Sequence, residues 1–251
     1  MKALLLSILD DINARRYLAG LSDRRYLHLN IGKVLKKSAL YWPVALPRKF
    51  KPKTIIDIGA HKGSVAKELS ILYRPDLMIL FEPIPALAAQ LKLIQFADRQ
   101  MVYCCALGRS ECNVAINILE NISSSSILLV TVQSSALFNT SFDIVDTIEV
   151  PMRTLDSFAD EWELTCVDLL KIDVQGYELE VISGGINLIK KTKYVIIESS
   201  FFKHYENQPL FEDIYHEFTG LGFKLINTVG FTFDNNGNPL QCDAVFKNMA
   251  C

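Results

Sequence analysis

Residues 54–63 read Thr54-Ile55-Ile56-Asp57-Ile58-Gly59-Ala60-His61-Lys62-Gly63, an apolar run that ends in a carboxylate and a glycine-framed turn. The β-branched residues predict a buried strand, and Gly59 permits a sharp turn close to a ligand. Gly63 opens a helical pattern whose free amide groups face the same crevice. A second apolar run, Leu77-Met78-Ile79-Leu80-Phe81-Glu82, ends in an acid that could bind the hydroxyls of a ribose. Together the two runs predict a nucleoside-binding βαβ unit.

The residues between the two glycines distinguish one nucleoside cofactor from another. Dinucleotide sites use G-x-G-x-x-G, whose middle glycine lets the backbone contact a pyrophosphate. Here Ala60-His61-Lys62 takes its place, and Asp57 lies two residues before the turn. A carboxylate repels a pyrophosphate but attracts an ammonium or a sulfonium group. The pattern therefore favours S-adenosylmethionine, which carries a ribose, an amino acid and a sulfonium, over NAD.

Length and composition narrow the class of protein. The chain has 251 residues, 50% of them apolar, which predicts one main domain with a substantial core. A net charge of −2 gives no broad basic surface for nucleic acid. No apolar run approaches the ~20 residues of a membrane span, and the run Leu4-Leu5-Leu6 meets Asp10 too soon for a signal peptide. The six cysteines lack C-x-x-C spacing, so we expect buried reduced thiols and a cytoplasmic location.

Residues 1–50 differ in character from the rest of the chain. Clustered lysines and arginines alternate with apolar residues at helical spacing, which predicts a helical extension that packs on the main domain or on a partner subunit, as in a homodimer. A membrane-surface helix is the alternative, because basic residues with Tyr41 and Trp42 suit an interface. The prolines within residues 43–52 mark a linker, so residues 51–251 are predicted to form the main domain.

Beyond the linker, strand and helix patterns alternate, which predicts an α/β fold with a mostly parallel sheet. Strands are predicted at about residues 54–58, 77–82, 101–106, 167–172 and 194–199, and helices at about 63–73, 85–97, 176–190 and 209–220. Between 111 and 155 the alternation breaks, and two apolar runs predict an extra strand pair around a serine-rich loop. The turn sequence at 234–239 predicts an antiparallel C-terminal hairpin. The expected fold is a Rossmann-like, seven-stranded, mostly parallel sheet closed by this hairpin.

Four separated motifs carry a resemblance to a known family. They are residues 57–63, Phe81-Glu82-Pro83, Thr154-Leu155-Asp156-Ser157 and Asp168-Leu169-Leu170-Lys171-Ile172-Asp173-Val174-Gln175-Gly176-Tyr177-Glu178. In this order and spacing the chain resembles the FkbM-type family of S-adenosylmethionine-dependent methyltransferases, from about Thr54 to Phe246. The resemblance implies O-methylation of a hydroxyl on a sugar, a glycolipid or a polyketide-type product, and leaves the acceptor unidentified.

The resemblance also implies which residues bind the cofactor. The turn residues Asp57, Gly59, Ala60 and Gly63 are expected beneath its methionine end, and Glu82 is expected to bind the ribose hydroxyls. Ala106 and Leu107 are expected to contact the adenine. The alternatives are helix capping for Asp57, a surface carboxylate for Glu82 and core packing for Ala106 and Leu107. We expect His61 to be a turn residue and Lys62 to be solvated.

A second chemical cluster follows the fourth predicted strand. Strand alternation places Lys171 and Asp173 on one side near the carboxyl end, where open α/β sheets bind ligands. A charged pair in an apolar strand is costly unless it is satisfied, so we expect Asp173 to orient the methyl donor or to accept the proton of the acceptor. The alternative is a structural ion pair with Lys171. Glu178, in the first turn of the next helix, is expected to act as a cap.

Further candidates lie on the acceptor side. Glu198 follows the fifth predicted strand, and His204 is a catalytic candidate because histidine is the usual base near neutral pH, although a surface position is the alternative. Contact with cofactor or acceptor is a further hypothesis for Asn121 and Ser123 to Ser126, with a flexible connector as the equal alternative. Tyr205 is an acceptor-side candidate beside His204, and Asp243, before the last strand, could face the site. The carboxylates Asp173, Glu198 and Asp243 could hold a Mg²⁺ that lowers the pKa of an alcohol. The sequence shows no dedicated metal motif, so no metal ligand is assigned.

Two functions from other classes stay open at this point. An NAD(P)-dependent oxidoreductase is disfavoured by the missing middle glycine and by the C-terminal hairpin. A methyltransferase-like binding module without activity is disfavoured by the intact set Asp57, Gly59, Gly63, Glu82 and Asp173.

Overall fold

The computed structural model of the protein describes residues 45–47, 49–138, 142–162 and 164–251. From Thr54 onward the strands are β1 Thr54–Ile58, β2 Leu77–Phe81, β3 Arg99–Tyr103, β4 Ala106–Leu107, β5 Cys112–Leu119, β6 Ile144–Arg153, β7 Val167–Ile172, β8 Thr192–Ser200, β9 Phe223–Phe233 and β10 Pro239–Asn248. The helices are α1 Ser64–Tyr73, α2 Pro85–Lys92, α3 Val132–Phe138, α4 Leu155–Trp162, α5 Glu178–Ser183, α6 Ile186–Lys190 and α7 Phe211–Gly220. The predicted helical extension lies almost wholly outside the described residues and stays a prediction.

Seven strands form one sheet in the order β3-β2-β1-β7-β8-β10-β9. The pairs from β3 to β8 are parallel, and β10 pairs antiparallel with both β8 and β9. Helical crossovers join β1 to β2, β2 to β3 and β7 to β8, because parallel neighbours cannot be joined by a tight turn. The parallel neighbours β1 and β7 are far apart in the chain, and the second sheet lies between them in sequence. This topology confirms the predicted Rossmann-like sheet with its antiparallel C-terminal hairpin.

The sheet is buried on both faces, which explains its continuous apolar strands. Even-numbered residues of β1, such as Ile56 and Ile58, pack with α4 to α7, where Phe158 and Phe218 are fully buried. The odd-numbered Ile55 packs on the opposite face, together with residues of α1 and α2. Asp57 shares this second face, and so do the other charged residues that end the neighbouring strands. Strand alternation therefore gathers these charges on one side of the sheet.

The interrupted region between 111 and 155 forms a second sheet with the order β4-β6-β5. Its antiparallel pairing of Val114 with Val150 confirms the predicted extra strand pair. The loop between these strands contains a 3₁₀ turn, Ile122–Ser124, and helix α3, neither of which was predicted. Helix α4 was likewise missed, although its start coincides with the motif Thr154-Leu155-Asp156-Ser157.

Three predicted elements have different bounds. The third strand breaks at Cys104-Cys105, so Ala106 and Leu107 belong to β4 in the second sheet. The helix predicted at 85–97 ends at Lys92, because the side chain of Gln100 bonds the backbone of Ile94 and Phe96 at 2.8 and 2.9 Å. The helix predicted at 176–190 is two helices, because the chain at Gly184 passes so close to the Gly108 carbonyl that no Cβ fits.

The C-terminal hairpin is longer than its two apolar runs suggested. Its turn is closed by Asp234, whose carboxylate accepts hydrogen bonds of 2.8 Å from the backbone of Asn236 and Asn238. Asp243, expected before the last strand, lies inside β10. All six cysteines are free thiols, but Cys112 and Cys251 are exposed, so the expected burial is wrong for these two. No helix within the described ranges combines the length and the apolar character needed to span a membrane.

Candidate active site

A cavity of about 490 Å³ opens at the carboxyl ends of β1, β2, β7 and β8. One wall is the sheet edge, and the other is formed by residues between Asn121 and Val130 together with the loop at His204 and Tyr205. Of the predicted site residues, the following line it: Gly59, Ala60, Glu82, Ala106, Leu107, Asp173, Glu198 and His204. This is the edge at which open α/β sheets bind ligands, and the volume suits a small-molecule site.

The glycine turn brings three strands together at one end of the cavity. Gly59 has φ +81°, and a Cβ at this position would overlap the carbonyl oxygen of Asp173. The backbone amides of Gly59 and Ala60 both donate to the carbonyl of Phe81, at 3.0 and 2.9 Å. Only glycine permits this approach of the β1 turn to the chain after β7. The turn is therefore anchored to both β2 and β7.

Glu82, directly after β2, is held rigidly at the cavity wall. One carboxylate oxygen accepts from the backbone amide of His61 at 2.8 Å, and the other from Ile84 at 2.9 Å. The side chain is only 4% exposed, and burial raises its pKa, an effect that the two amide donors oppose. Each oxygen keeps a second lone pair that can accept from a ligand. Glu82 is therefore not the surface carboxylate that was considered as the alternative.

Asp57 and Gly63 are not among the residues that line the cavity. Asp57 is 1% exposed, and burial raises its pKa to about 7 despite the nearby Lys171, its register partner on β7. Within the described part of the chain, one Asp57 carboxylate oxygen has no hydrogen-bond partner. Gly63, with φ +76°, packs against the side chains of Leu91 and Phe96. Both residues support the turn from behind, and a direct role in binding stays a prediction.

Lys171 lies inside the sheet end, 3% exposed, among carboxylates. Its Nζ is 2.8 Å from Asp243 Oδ1 and 3.5 Å from Asp173 Oδ2. Burial disfavours the ammonium, but Asp243, Asp173 and Glu198 outweigh it, so the pKa of Lys171 lies above its usual range. The ion pair weighed as the alternative for Asp173 is thus present, yet Asp173 also reaches the cavity. An ammonium in this place leaves the three carboxylates poorly suited to a Mg²⁺ site.

Gln175 connects the carboxylates of β7 and β8. Its side-chain nitrogen donates to Asp173 Oδ1 at 2.8 Å and to Glu198 Oε2 at 3.0 Å, while its amide oxygen accepts from the hydroxyl of Tyr205 at 2.8 Å. Gln175 has φ +55°, an uncommon conformation for a residue with a side chain. The hydroxyl of Ser126 donates to its carbonyl at 2.6 Å and so helps to hold this backbone. Strained backbone of this kind is often found at functional sites.

Glu198 is the third carboxylate that lines the cavity, after Glu82 and Asp173. Its Oε1 accepts from the side-chain amide of Gln241 at 3.0 Å, so both oxygens are bound by neutral amide donors. Burial, and after it the negative charge of Asp173, raise its pKa well above the usual range. A carboxyl group with a raised pKa is a suitable proton acceptor near neutral pH. Sequence reasoning missed Gln241, which follows the hairpin turn and carries no local signal.

Glu178 and His204 are both buried. Glu178 is 2% exposed and accepts from the backbone amides of Val174 and Gly176, at 3.2 and 3.1 Å. It therefore holds the loop before α5 and does not cap the first amides of the helix, as had been expected. His204 is 6% exposed, which excludes the surface position weighed as its alternative. Burial lowers the pKa of the imidazole, so His204 is neutral at pH 7. His204 is among the residues that line the cavity, and its catalytic role stays a prediction.

The serine-rich loop forms much of the cavity wall opposite the sheet. Asn121 and Ser123 to Ser126 all line the cavity. The hydroxyl of Tyr205 lies 2.9 Å from the carbonyl of Ser124, and the backbones of Val130 and Tyr205 form a β-bridge. The loop is thereby tied to the residues beside His204. Cavity residues that sequence reasoning missed include Cys105, Tyr177 and Gln208.

Comparisons with known proteins agree with this arrangement. Residues 57–225 match the Methyltransferase FkbM domain. Over 173 residues the chain is 32% identical to the 2-O-methyltransferase NoeI of Sinorhizobium fredii, an alignment that covers 66% of this chain and 70% of that protein. The crystal structure of methyltransferase FkbM from Methylobacillus flagellatus shares the fold, with a TM-score of 0.53 and 16% identity, over 94% of this chain. This chain spans 58% of the length of that structure. The predicted resemblance is confirmed: the protein belongs to the FkbM methyltransferase family.

Proposed function

We propose that this protein is an S-adenosylmethionine-dependent O-methyltransferase that acts on a hydroxyl of a sugar, glycolipid or polyketide-type acceptor. The observation that carries the proposal is the cavity itself, in which a buried, doubly held Glu82 and the carboxylates Asp173 and Glu198 face one space. Family membership supports methyl transfer, and the name of the relative NoeI, a 2-O-methyltransferase, supports oxygen as the accepting atom.

The residues present fit the methyl donor. Glu82 would take the ribose hydroxyls with its remaining lone pairs, and the apolar Ala106 and Leu107, both at most 5% exposed, would contact the adenine. The turn at Gly59 and Ala60, with Asp173 beside it, would hold the methionine end. The carboxylates around this turn suit a cationic ligand and would repel a pyrophosphate. When bound, S-adenosylmethionine supplies an electrophilic methyl group, and neutral sulfur leaves with the electron pair.

The chain's own residues would handle the acceptor. An alcohol oxygen is a weak nucleophile at neutral pH, so a carboxylate that accepts its proton accelerates the reaction by about 10²–10⁴-fold. Glu198, Asp173 and His204, all of which line the cavity, are the candidate bases. The amide of Asn121 and the hydroxyl of Ser123, on the opposite wall, suit the recognition of a polyhydroxylated acceptor. The homodimer, the cytoplasmic location and the role of residues 1–50 stay predictions.

A binding experiment tests the cofactor, and a transfer experiment tests the reaction. Thermal shift with S-adenosylmethionine, S-adenosylhomocysteine and NAD side by side should show stabilisation by the first two alone. Stabilisation by NAD alone would replace the proposal with an oxidoreductase. Methyl transfer from labelled S-adenosylmethionine should then be measured against a panel of sugars, glycolipids and polyketides. Binding of the methyl donor without transfer to any acceptor would favour a binding module.

A further inference from the structure

The carboxylates Asp173 and Glu198, which line the cavity, and the neighbouring Asp243 differ in the groups that bind them. Asp173 and Asp243 both contact the ammonium of Lys171, at 3.5 and 2.8 Å. Within the described residues Glu198 forms no ion pair and accepts instead from two neutral amides. A carboxylate that is tied to a buried cation gives up that stabilisation when it takes a proton. Glu198 can accept a proton without breaking an ion pair.

The register of β10 against β8 places Gln241 within hydrogen-bond distance of Glu198. Asp243 lies directly opposite Glu198 in the antiparallel pair of β10 and β8, and Gln241, two residues earlier, is on the same side of the sheet. Its amide nitrogen is 3.0 Å from Glu198 Oε1, and no other side-chain hydrogen bond of Gln241 is found in the described parts of the chain. Gln241 also lies beyond residues 57–225, the part that matches the family domain.

We propose that Gln241 is a positioning residue that orients Glu198 as the proton acceptor for the hydroxyl of the acceptor. This inference rests on the proposed function. In the step, the O–H bond of the acceptor would break and its proton would pass to the Glu198 carboxylate. The acceptor oxygen would form a bond to the methyl group, whose bond to sulfur would break with the electron pair leaving on sulfur. Gln241 supplies the amide donor that keeps Oε1 in place. Gln175 does the same for Oε2, but it also binds Asp173 and Tyr205, so Gln241 is the cleaner residue to test.

The role of Gln241 can be measured through the pKa of Glu198. The ionisable groups that interact with Glu198 are Lys171 on β7, Asp173 directly after β7, Cys242 and Asp243 on β10, Glu178 on α5 and Tyr205 in the loop after β8. Hydrogen bonds donated to a carboxylate favour its ionised form. Loss of the Gln241 amide should therefore raise the pKa of Glu198 further. If Glu198 is the base, the acidic limb of the pH–activity profile should move to higher pH by the same amount.

The experiment follows Glu198 directly, so it needs no identified acceptor. The full chain is labelled with δ-¹³C glutamate, and the resonance that disappears in Glu198→Gln is titrated in the wild type and in Gln241→Met. We expect the midpoint to rise by about one pH unit, a tenfold change in proton affinity. Gln90→Met, the same replacement at an exposed position of α2, should leave it unchanged. If Gln241→Met does not fold, Gln241→Glu should raise the midpoint further by like-charge repulsion.

The outcomes separate the two proposals. An unchanged midpoint in Gln241→Met, with S-adenosylmethionine binding intact, would overturn the role of Gln241 and leave the proposed function standing. Failure of the wild type to bind S-adenosylmethionine would refute the proposed function itself. Once an acceptor is found, Gln241→Met should lower kcat about tenfold or more below the shifted midpoint, with little change in KM for S-adenosylmethionine. A merely structural residue would not shift the pH profile.

Discussion

Replacement of Glu82 with glutamine tests the assignment of the ribose site. In the wild type each carboxylate oxygen accepts one backbone amide, from His61 at 2.8 Å and from Ile84 at 2.9 Å. A glutamine keeps an oxygen for one of these donors and turns an NH₂ group toward the other. One buried N–H is then left facing a second donor, which costs about 1–3 kcal/mol of folding free energy. The shape of the side chain changes little, so packing contributes little to the effect.

The same replacement also weakens ligand binding. The neutral side chain loses the charge-assisted hydrogen bonds that an ionised carboxylate makes with ligand hydroxyls. A loss of about 1–3 kcal/mol corresponds to a roughly 5- to 150-fold weaker affinity for S-adenosylmethionine. Calorimetric titration with S-adenosylmethionine and S-adenosylhomocysteine measures this affinity, and urea unfolding measures the stability.

Glu212→Gln provides the matched control, because Glu212 is exposed on α7, away from the cavity. Its stability and affinity should stay within a few tenths of a kcal/mol of the wild type. Wild-type affinity in Glu82→Gln would show that the ribose assignment is wrong. A variant that loses stability but keeps its affinity would make Glu82 a support of the turn and nothing more.

Three further substitutions test the interior of the site. Gly59→Ala should lower the free energy of unfolding by at least about 2 kcal/mol more than Gly237→Ala. Both positions have similar positive φ, but only at Gly59 would the added Cβ meet the Asp173 carbonyl. Equal losses in urea unfolding would contradict the steric reasoning. Lys171→Met should cost about 3–5 kcal/mol, because it leaves the partly buried Asp173 and Asp243 without their buried cation. Lys193→Met removes a more exposed pair and should cost about 1 kcal/mol or less; comparable losses in thermal shift would contradict this difference. For Asp57, whose folded pKa of about 7 exceeds its unfolded value, stability is fully present below the unfolded pKa and is lost as pH rises through about 7. Asp57→Asn should therefore gain about 1–3 kcal/mol on the wild type between pH 5 and pH 8 in urea unfolding, and a constant difference would show that Asp57 is ionised throughout.

The parts of the fold that could be predicted are those with a local cause. β1 and β7 lie where they were predicted, because each is an apolar run bounded by residues that end a strand. Parallel strands place their carboxyl ends at one edge, so Glu82 and Asp173 could be assigned to the same cavity from their positions alone. Strand alternation likewise placed Lys171 and Asp173 on one side. These inferences need only the period of the strand and the direction of the chain.

Other features depend on contacts between distant residues. The break between α5 and α6 follows from the approach of Gly184 to Gly108, which no pattern within the helix records. The burial of His204 depends on the loop around Ser124 and Ser134 that covers it, through the 2.9 Å bond from the Ser134 hydroxyl to its carbonyl. Contacts of this kind join segments about 70 residues apart or more, so propensity and spacing carry no trace of them.

The sequence by itself determined the class of protein. A methyltransferase sheet is specified by three signals together: the glycine turn, the acid after each of two parallel strands, and the hairpin turn. Each signal is encoded within a few neighbouring residues. Only the tertiary structure decided which carboxylates pair with the Lys171 ammonium and which accept from neutral amides. Lys171 pairs with Asp173 and Asp243, while Glu198 is left to the amides of Gln175 and Gln241. That division depends on the register of β10 against β8, which is fixed by packing and by irregularities across the whole hairpin.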